Sequence, residues 1–379
     1  MVMEDNTVLL IVDDEDEIRE NLSDFAEFKG FEVYQANNGL KALEVLEAHK
    51  PDLIISDLMM PEMGGIQFLQ EKIVRGIDIP VVIMTAFGTM EYAIDAMKNG
   101  AADFITKPID LPYMMQVVEK VLERSAIKKK VAEQQEQLEE DLSHAAAIQR
   151  CLLPDPVDNQ YLSINYRYEP LIAIGGDYLT VHQYSPQEYA IALYDVSGHG
   201  VSAALTANLI HNQLQQRLAE RRPPSNVLNL LNRFLIRNLD KTSMFVTMAI
   251  IIIDLEEDTM TIANAGHPEV YVWRSESEDL DAITSHTPPV GVTPKILGDN
   301  NETSLDVNSG DRLILYTDGF LEARGDDDKM LGKIGLKEMI SSNCRSNSAD
   351  FMHNMYNDLA SFQAGEPDDD LTLMVIDFK

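Results

Sequence analysis

Four short stretches set an aspartate beside an apolar run, three of them flanked by glycine: Ile174-Gly175-Gly176-Asp177, Tyr194-Asp195-Val196-Ser197-Gly198-His199-Gly200, Tyr316-Thr317-Asp318-Gly319 and Asp368-Asp369-Asp370-Leu371-Thr372. Glycine lets a backbone approach closely or turn through positive φ. Carboxylates gathered at strand ends repel one another unless cations sit between them. Two divalent ions about 3.5–4 Å apart can bridge one water, lower its pKa and clamp a phosphate oxygen, so no cysteine nucleophile is needed. A second set lies near the start. Asp13 and Asp14 follow the apolar run 7–12, Asp57 ends the run 51–57, Thr85 ends 80–85, and Lys107-Pro108 follows 102–106. Hard oxygen ligands suit Mg²⁺. A carboxylate beside Mg²⁺ and a lysine can attack a phosphoryl group and hold it as an acyl phosphate. Lys107 would neutralise phosphate charge, and Thr85 would hydrogen-bond the new oxygens.

Blander readings compete. An Asp followed by a glycine-flanked turn also describes a capped strand-to-helix connection. Asp195, Ser197 and His199 carry the letters of a hydrolase triad, but residues so close in sequence cannot easily assemble one, and the G-x-S-x-G elbow is missing. Gly175-Gly176-Asp177-Tyr178 is followed by Leu179-Thr180 rather than the Glu-Phe of diguanylate cyclases. His199 reads as a turn histidine bonded locally, with metal ligation as the alternative. Residues 264–268 read as a tight turn.

The elements that must position these groups differ between the two halves. Up to about residue 124, β-like runs alternate with helical patterns at 40–49, 64–75 and 89–99, which indicates a doubly wound parallel sheet of five strands. Function in such sheets collects at the carboxyl ends of the strands. From 118 to 150 glycine and proline vanish. Val131, Gln135, Leu138, Leu142, Ala145, Gln149 and Leu152 follow steps of four and three, a weak heptad seam that predicts a helix pairing with a second copy through residues 118–152. Pro154 and Pro156 then break the helix. The remainder is rich in short strands, with helical stretches near 200–221, 224–239 and 334–362, the pattern of an α+β domain built on two packed sheets flanked by helices. The expected organisation is 1–124, a helical linker 125–153, and 154–379.

Bulk properties narrow the function classes. With 379 residues the chain has room for two or three domains. A net charge of −33 argues against non-specific nucleic-acid binding, and there is no basic recognition helix. No run of about 18 apolar residues suggests a membrane span. The acidic N-terminus does not read as a signal peptide. Cys151 and Cys344 form no spaced pair, which fits a reducing, cytoplasmic setting and not a cysteine metal site.

Residues 7–124, with VDDE, SDLMMPEMGG, MTAFG and TKP in order, resemble response-regulator receiver domains. The resemblance implies a flavodoxin-like fold and a sensor histidine kinase as phosphodonor. It makes Asp57 the phosphoacceptor, with Mg²⁺ held by Asp14 directly, Asp13 through water, Asp57 and the Met59 carbonyl. Thr85, Phe104 and Lys107 become the switch residues, and Lys107-Pro108 a cis bond. Residues 145–379 resemble the bacterial PPM-type Ser/Thr phosphatases of the SpoIIE/RsbU group through AAAIQRCLLP, IGGDY, DVSGHG, NAGHP, YTDGFLEAR and DDDLTLMV. Here the resemblance implies two Mn²⁺ or Mg²⁺ held by Asp177, Asp195, Asp318, Asp369 and the Val196 carbonyl. Asp369, not Asp370, matches the first acid of the family's D-D-x-T. The family's GGDYYD has Thr180 in place of its last acid. The implied substrate is a regulatory phosphoprotein, an anti-sigma-factor antagonist of STAS fold. The rival reading is a non-catalytic, RssB-like adaptor that binds a sigma factor or antagonist, a decay marked by loss of metal acids that all four retained aspartates argue against.

Overall fold

The computed structural model describes residues 7–86, 90–239, 244–285, 287–294, 301–326, 328–365 and 367–379. Phe87 and Gly88 of the MTAFG motif lie outside the described residues. The chain divides into two compact units, Met1–Leu138 and Glu139–Lys379.

In the first unit, β1 (Val8–Val12), β2 (Glu32–Ala36), β3 (Leu53–Asp57), β4 (Val81–Ala86) and β5 (Asp103–Lys107) form a parallel sheet in the order β2-β1-β3-β4-β5. The central strands are apolar on both faces, as burial on both sides requires. On one face, Leu9, Ile11, Leu53, Ile55 and Met84 pack with Leu22 and Ala26 of α1 (Asp16–Phe28) and with Met114, Val118 and Val121 of α5 (Leu111–Cys151). On the other, Leu10, Val12, Ile54 and Ile83 pack with residues of α2 (Gly39–Ala48), α3 (Gly65–Val74) and α4 (Met90–Lys98). The doubly wound architecture is therefore present, and the carboxyl ends of β1, β3, β4 and β5 share one edge.

Helix α5 contributes residues to both units, and only part of the expected pairing face is exposed. Val131 and Leu138 are exposed as a pairing face would be. Val118 is buried in the first unit, whereas Leu142 and Ala145 pack around Ala146, Ile174 and Ala204 of the second. Gln149 is buried to 2% exposure inside the second unit. Steps of three and four line up any helix face, and here the stretch Leu142, Ala145 and Gln149 is covered within the second unit.

The second unit stacks two antiparallel sheets. The first has β8 (Tyr178–Ser185), β9 (Glu188–Val196), β10 (Val246–Asp254), β11 (Thr259–Ala265) and β14 (Thr303–Asp306), ordered β14-β11-β10-β9-β8. The second has β6 (Val157–Asp158), β7 (Leu162–Glu169), β12 (Val270–Arg274), β13 (Asp279–Ile283), β15 (Arg312–Tyr316) and β16 (Leu371–Phe378), ordered β13-β12-β15-β16-β7-β6. Leu179, Ile191, Leu193 and Ile251 meet Leu313, Leu315, Met374 and Ile376 between them. Helices α6 (Val201–Ala219) and α7 (Pro224–Leu239) cover the outer face of the first sheet. Helices α8 (Gly319–Glu322), α9 (Gly332–Asn343) and α10 (Ser348–Phe362) cover that of the second. The single helical stretch expected over 334–362 is thus two helices, because Asn347 starts a new one by accepting a hydrogen bond from the Asp350 amide.

Candidate functional site

In the first unit the edge groups meet as a charge cluster. Lys107 Nζ lies 2.9 Å from Asp13 Oδ2 and 2.9 Å from Asp57 Oδ1. Asp13 is wholly buried and also accepts the Glu15 amide at 2.9 Å. Burial raises the Asp57 carboxyl above its ordinary range, against the bond from Lys107 that favours its anion. Burial acts to lower Lys107, but its bonds to Asp57 and Asp13 outweigh that and hold it raised. Asp14 is exposed, one residue beyond Asp13. The Met59 side chain is exposed, and its amide donates to Asp57 Oδ2 at 3.3 Å. Thr85 is buried at the end of β4, and Phe104 sits half-buried on β5. The Lys107-Pro108 bond is cis.

In the second unit the geometry follows from strand pairing. Strands β8 and β9 are antiparallel with Tyr178 opposite Tyr194, so Asp177 before β8 and Asp195 near the end of β9 fall together. Strands β15 and β16 pair Tyr316 with Leu373, so Asp318 after β15 and Asp369 before β16 fall together at the corresponding corner of the other sheet. The two corners face each other. Thr317 and Thr372 of the second sheet donate their hydroxyls to Asp177 Oδ2 of the first, at 2.7 and 2.6 Å. Gly176 has no room for a side chain, since a Cβ there would stand 2.9 Å from the Val196 carbonyl oxygen.

The electrostatics are those of acids without a countercharge. Asp177 is held well above the usual carboxylate range by burial, then by Asp195 and Asp370. Burial, with Asp318, Asp369, Asp370 and Glu322 around it, pushes Asp195 up to about 8. Burial, Asp369 and Glu322 push Asp318 up to about 6. Asp369 is raised by burial, with Asp370 and Glu322 adding to it. Among the described residues no ion pair reaches any of these four acids. Nor do three His, Cys, Asp or Glu side chains among them stand ready-made as a metal cage. The donor set is therefore all oxygen, anionic and uncompensated, and it fits divalent cations.

Asp370 plays a different part. It is buried, and its carboxylate accepts the amides of Leu171 and Gly176, both at 2.7 Å, and of Asp177 at 3.4 Å. Asp369 is half-exposed, accepts the Asp370 amide through Oδ1 at 2.8 Å, and adds to the charge around Asp195 and Asp318. The residues 264–268 form a turn in which Asn264 binds the His267 amide and the Pro268 carbonyl, with Gly266 at φ +68°. His267 is buried, pairs through Nδ1 with Thr247 Oγ1 at 2.9 Å, and is pushed down to about 3 by burial. His199 is exposed, near enough to ease the charge of Asp369. Thr180 is buried and bonded by Gln215.

Sequence reasoning missed four participants: Thr317, Thr372, Asp370 and Glu322. The two threonines stood inside the quoted motifs, next to Asp318 and two residues after Asp370. Glu322 lies one helical turn beyond Asp318, a spacing that puts both on one side of α8.

Comparison with known proteins adds the following. The family model described as "Stage II sporulation protein E (SpoIIE)" matches residues 185–379, and "Response regulator receiver domain" matches 9–119. The chain is 40% identical over 123 residues to Regulatory protein AtoC of Escherichia coli strain K12, covering 32% of this chain and 27% of that protein. It is 28% identical over 185 residues to Phosphoserine phosphatase RsbP of Bacillus subtilis strain 168, covering 48% of this chain and 45% of that protein. It thus spans less than half the length of either relative. The SiaA-PP2C domain of Pseudomonas aeruginosa shares the fold, with a TM-score of 0.57, 22% identity, and coverage of 65% of this chain and 98% of that domain.

Proposed function

The chain belongs to the Stage II sporulation protein E (SpoIIE) family and carries a response-regulator receiver domain ahead of the matched region, and from that premise we propose a phosphorylation-controlled, metal-dependent phosphoprotein phosphatase. The observation that carries the catalytic half is the convergence of Asp177, Asp195, Asp318 and Asp369 from two sheets, each raised by burial and by its acidic neighbours, with no ion pair to any of them among the described residues.

Bound divalent ions would supply an activated water and a clamp for phosphate oxygens. Asp195, Asp318, Asp369, Asp177 and the Val196 carbonyl would hold them. Thr317 and Thr372 fix one oxygen of Asp177, so the other would serve an ion. Asp370 spends its charge on backbone amides and so sets the loop, not the ion.

The substrate we propose is a phosphoserine or phosphothreonine on a regulatory protein, of the class of STAS-domain anti-sigma-factor antagonists. The name of the RsbP relative, a phosphoserine phosphatase, supports that choice. A sensor histidine kinase would phosphorylate Asp57, with Mg²⁺ held by Asp13, Asp14, Asp57 and the Met59 carbonyl. Thr85, Phe104 and Lys107 would respond, and α5 would carry the change. The exposed Val131 and Leu138 remain available for pairing with a second copy.

The test is turnover of p-nitrophenyl phosphate with Mn²⁺ by wild type, Asp195→Asn, and wild type treated with beryllofluoride. Activity that disappears in Asp195→Asn and shifts with beryllofluoride supports the reading. Absence of turnover in the wild type under every condition turns the assignment to the adaptor reading.

A further inference from the structure

Gln149 was one of the seven residues of the heptad pattern, yet it is the most deeply buried polar side chain of α5 among the described residues. Its amide grips a single peptide segment at two points. Nε2 donates to the Gly175 carbonyl at 2.8 Å, and Oε1 accepts the Gly175 amide at 3.2 Å. The Tyr168 hydroxyl donates to the same Oε1 at 3.2 Å, and the Tyr178 hydroxyl to the Gln149 carbonyl at 3.0 Å. Gly175 begins the Gly175-Gly176-Asp177 loop. A Cβ there would lie 2.5 Å from Asp370 Oδ2 and 2.7 Å from the Tyr168 hydroxyl, so the loop is enclosed on both sides.

The two grips differ in what anchors them. Asp370 holds the Gly176 amide from the buried residue just before β16. Gln149 holds Gly175 from the last turn of α5. Apart from these bonds, that turn is seated by a small cluster of Ala146, Ile174 and Ala204 with Leu142, Ala145 and Ala173 around it. Ala204 belongs to the first turns of α6, which follows Asp195 and Val196. One helix end thus touches the supports of both acid-bearing loops of the first sheet.

We propose that Gln149 is a positioning residue that sets the Asp177 loop for divalent-cation binding, so that any displacement of the last turn of α5 lowers cation affinity at the phosphatase site. The inference rests on the metal-dependent reading above. The amide chemistry is specific. A glutamate keeps the acceptor for the Gly175 amide but loses the donor to the Gly175 carbonyl, and a leucine loses both.

The experiment uses the full chain as wild type, Gln149→Leu, Gln149→Glu, Asp195→Asn and Ile148→Ala, the last an exposed residue of the same turn. Mn²⁺ binding is measured by calorimetry, and amide hydrogen exchange over residues 172–178 is followed in EDTA. Mn²⁺ affinity about tenfold weaker in Gln149→Leu, the scale set by two lost hydrogen bonds, with an intermediate loss in Gln149→Glu, none in Ile148→Ala, and faster exchange over 172–178 in both Gln149 variants, supports the proposal. Equal affinity in wild type and both Gln149 variants overturns it. So does a loss of affinity that merely tracks lowered metal-free melting temperature across the two variants. Absence of Mn²⁺ binding in the wild type, or unchanged binding in Asp195→Asn, overturns the metal-dependent reading itself.

Discussion

Asp369 and Asp370 are neighbours of one chemical type, and the structure predicts opposite consequences for removing them. Asp370 is buried to 4% exposure and its carboxylate accepts three backbone amides. Asp370→Ala leaves those amides without a partner. The Leu171 amide sits in an exposed residue and recovers water, and the Asp177 bond is long at 3.4 Å. The Gly176 amide is buried and bonded at 2.7 Å, so it bears the full cost. An unsatisfied buried donor costs about 1–3 kcal/mol, and bonds to a charged group lie at the high end, giving about 2–4 kcal/mol in all. Removing a negative charge also relieves Asp177 and Asp195. That relief works against the loss, since Asp370 is among the charges that hold Asp177 and Asp195 raised. Asp369→Asn breaks no structural bond of comparable burial and removes one member of a repelling set. Urea unfolding in EDTA at pH 7 separates the two. Asp370→Ala should lose about 2–4 kcal/mol, and Asp370→Asn, which keeps one acceptor oxygen, roughly half of that. Asp369→Asn should stay within about 0.5 kcal/mol of wild type or gain stability, while losing Mn²⁺ binding. If Asp370→Ala were as stable as wild type, or if Asp369→Asn were equally damaging, the division of labour between the two acids would be wrong.

Three further outcomes follow from the same geometry. Thr372→Val removes one of the two hydroxyls bonded to Asp177 Oδ2, and one such bond, about 1 kcal/mol, should raise the Mn²⁺ concentration for half-maximal turnover about fivefold with maximal rate nearly kept. His267 is pushed down to about 3 by burial, so the unfolded chain binds a proton below about 6.5 that the folded chain refuses. Stability is then present above that pH and lost as pH falls, by up to about 1.4 kcal/mol per pH unit between 6.5 and 3. Urea titrations at pH 6.5 and 5 should show that slope reduced in His267→Gln. Lys107→Ala leaves the buried Asp13 and Asp57 without their shared cation. It should lower the melting transition of the receiver unit, by about 2 kcal/mol or more, and abolish the response of the phosphatase to beryllofluoride.

The acids were legible in the sequence because their chemistry is local. A carboxylate that ends an apolar run beside glycine announces both its position and its burden, and strand pairing then does the rest by bringing Tyr178 opposite Tyr194 and Tyr316 opposite Leu373. The parallel sheet of the receiver was legible for a related reason, since strands buried on both faces are continuously apolar. What escaped is less local. Strand β8, Tyr178–Ser185, reads as YLTVHQYS, with His182 and Gln183 breaking the apolar pattern. It is an edge strand, paired only on the β9 side, and edges tolerate polar residues. Strands β13 and β14 are edges too, and they were equally silent.

The heptad pattern shows where pattern reasoning stops. Steps of three and four mark a helical face and say nothing about what covers it. Over Val131 and Leu138 the face is open, whereas over Leu142, Ala145 and Gln149 it is closed by residues 173–175 and by Ala204. A glutamine in a run rich in glutamate and glutamine looks like a solvated surface, yet Gln149 is buried because it meets a peptide group with both its donor and its acceptor. That pairing removes the usual penalty for burying an amide. A second copy of the chain cannot meet Gln149 without first taking it from Gly175. Pairing of α5 through its whole length and a correctly held Asp177 loop are therefore alternatives, and pairing restricted to the stretch around Val131 and Leu138 is the arrangement compatible with both.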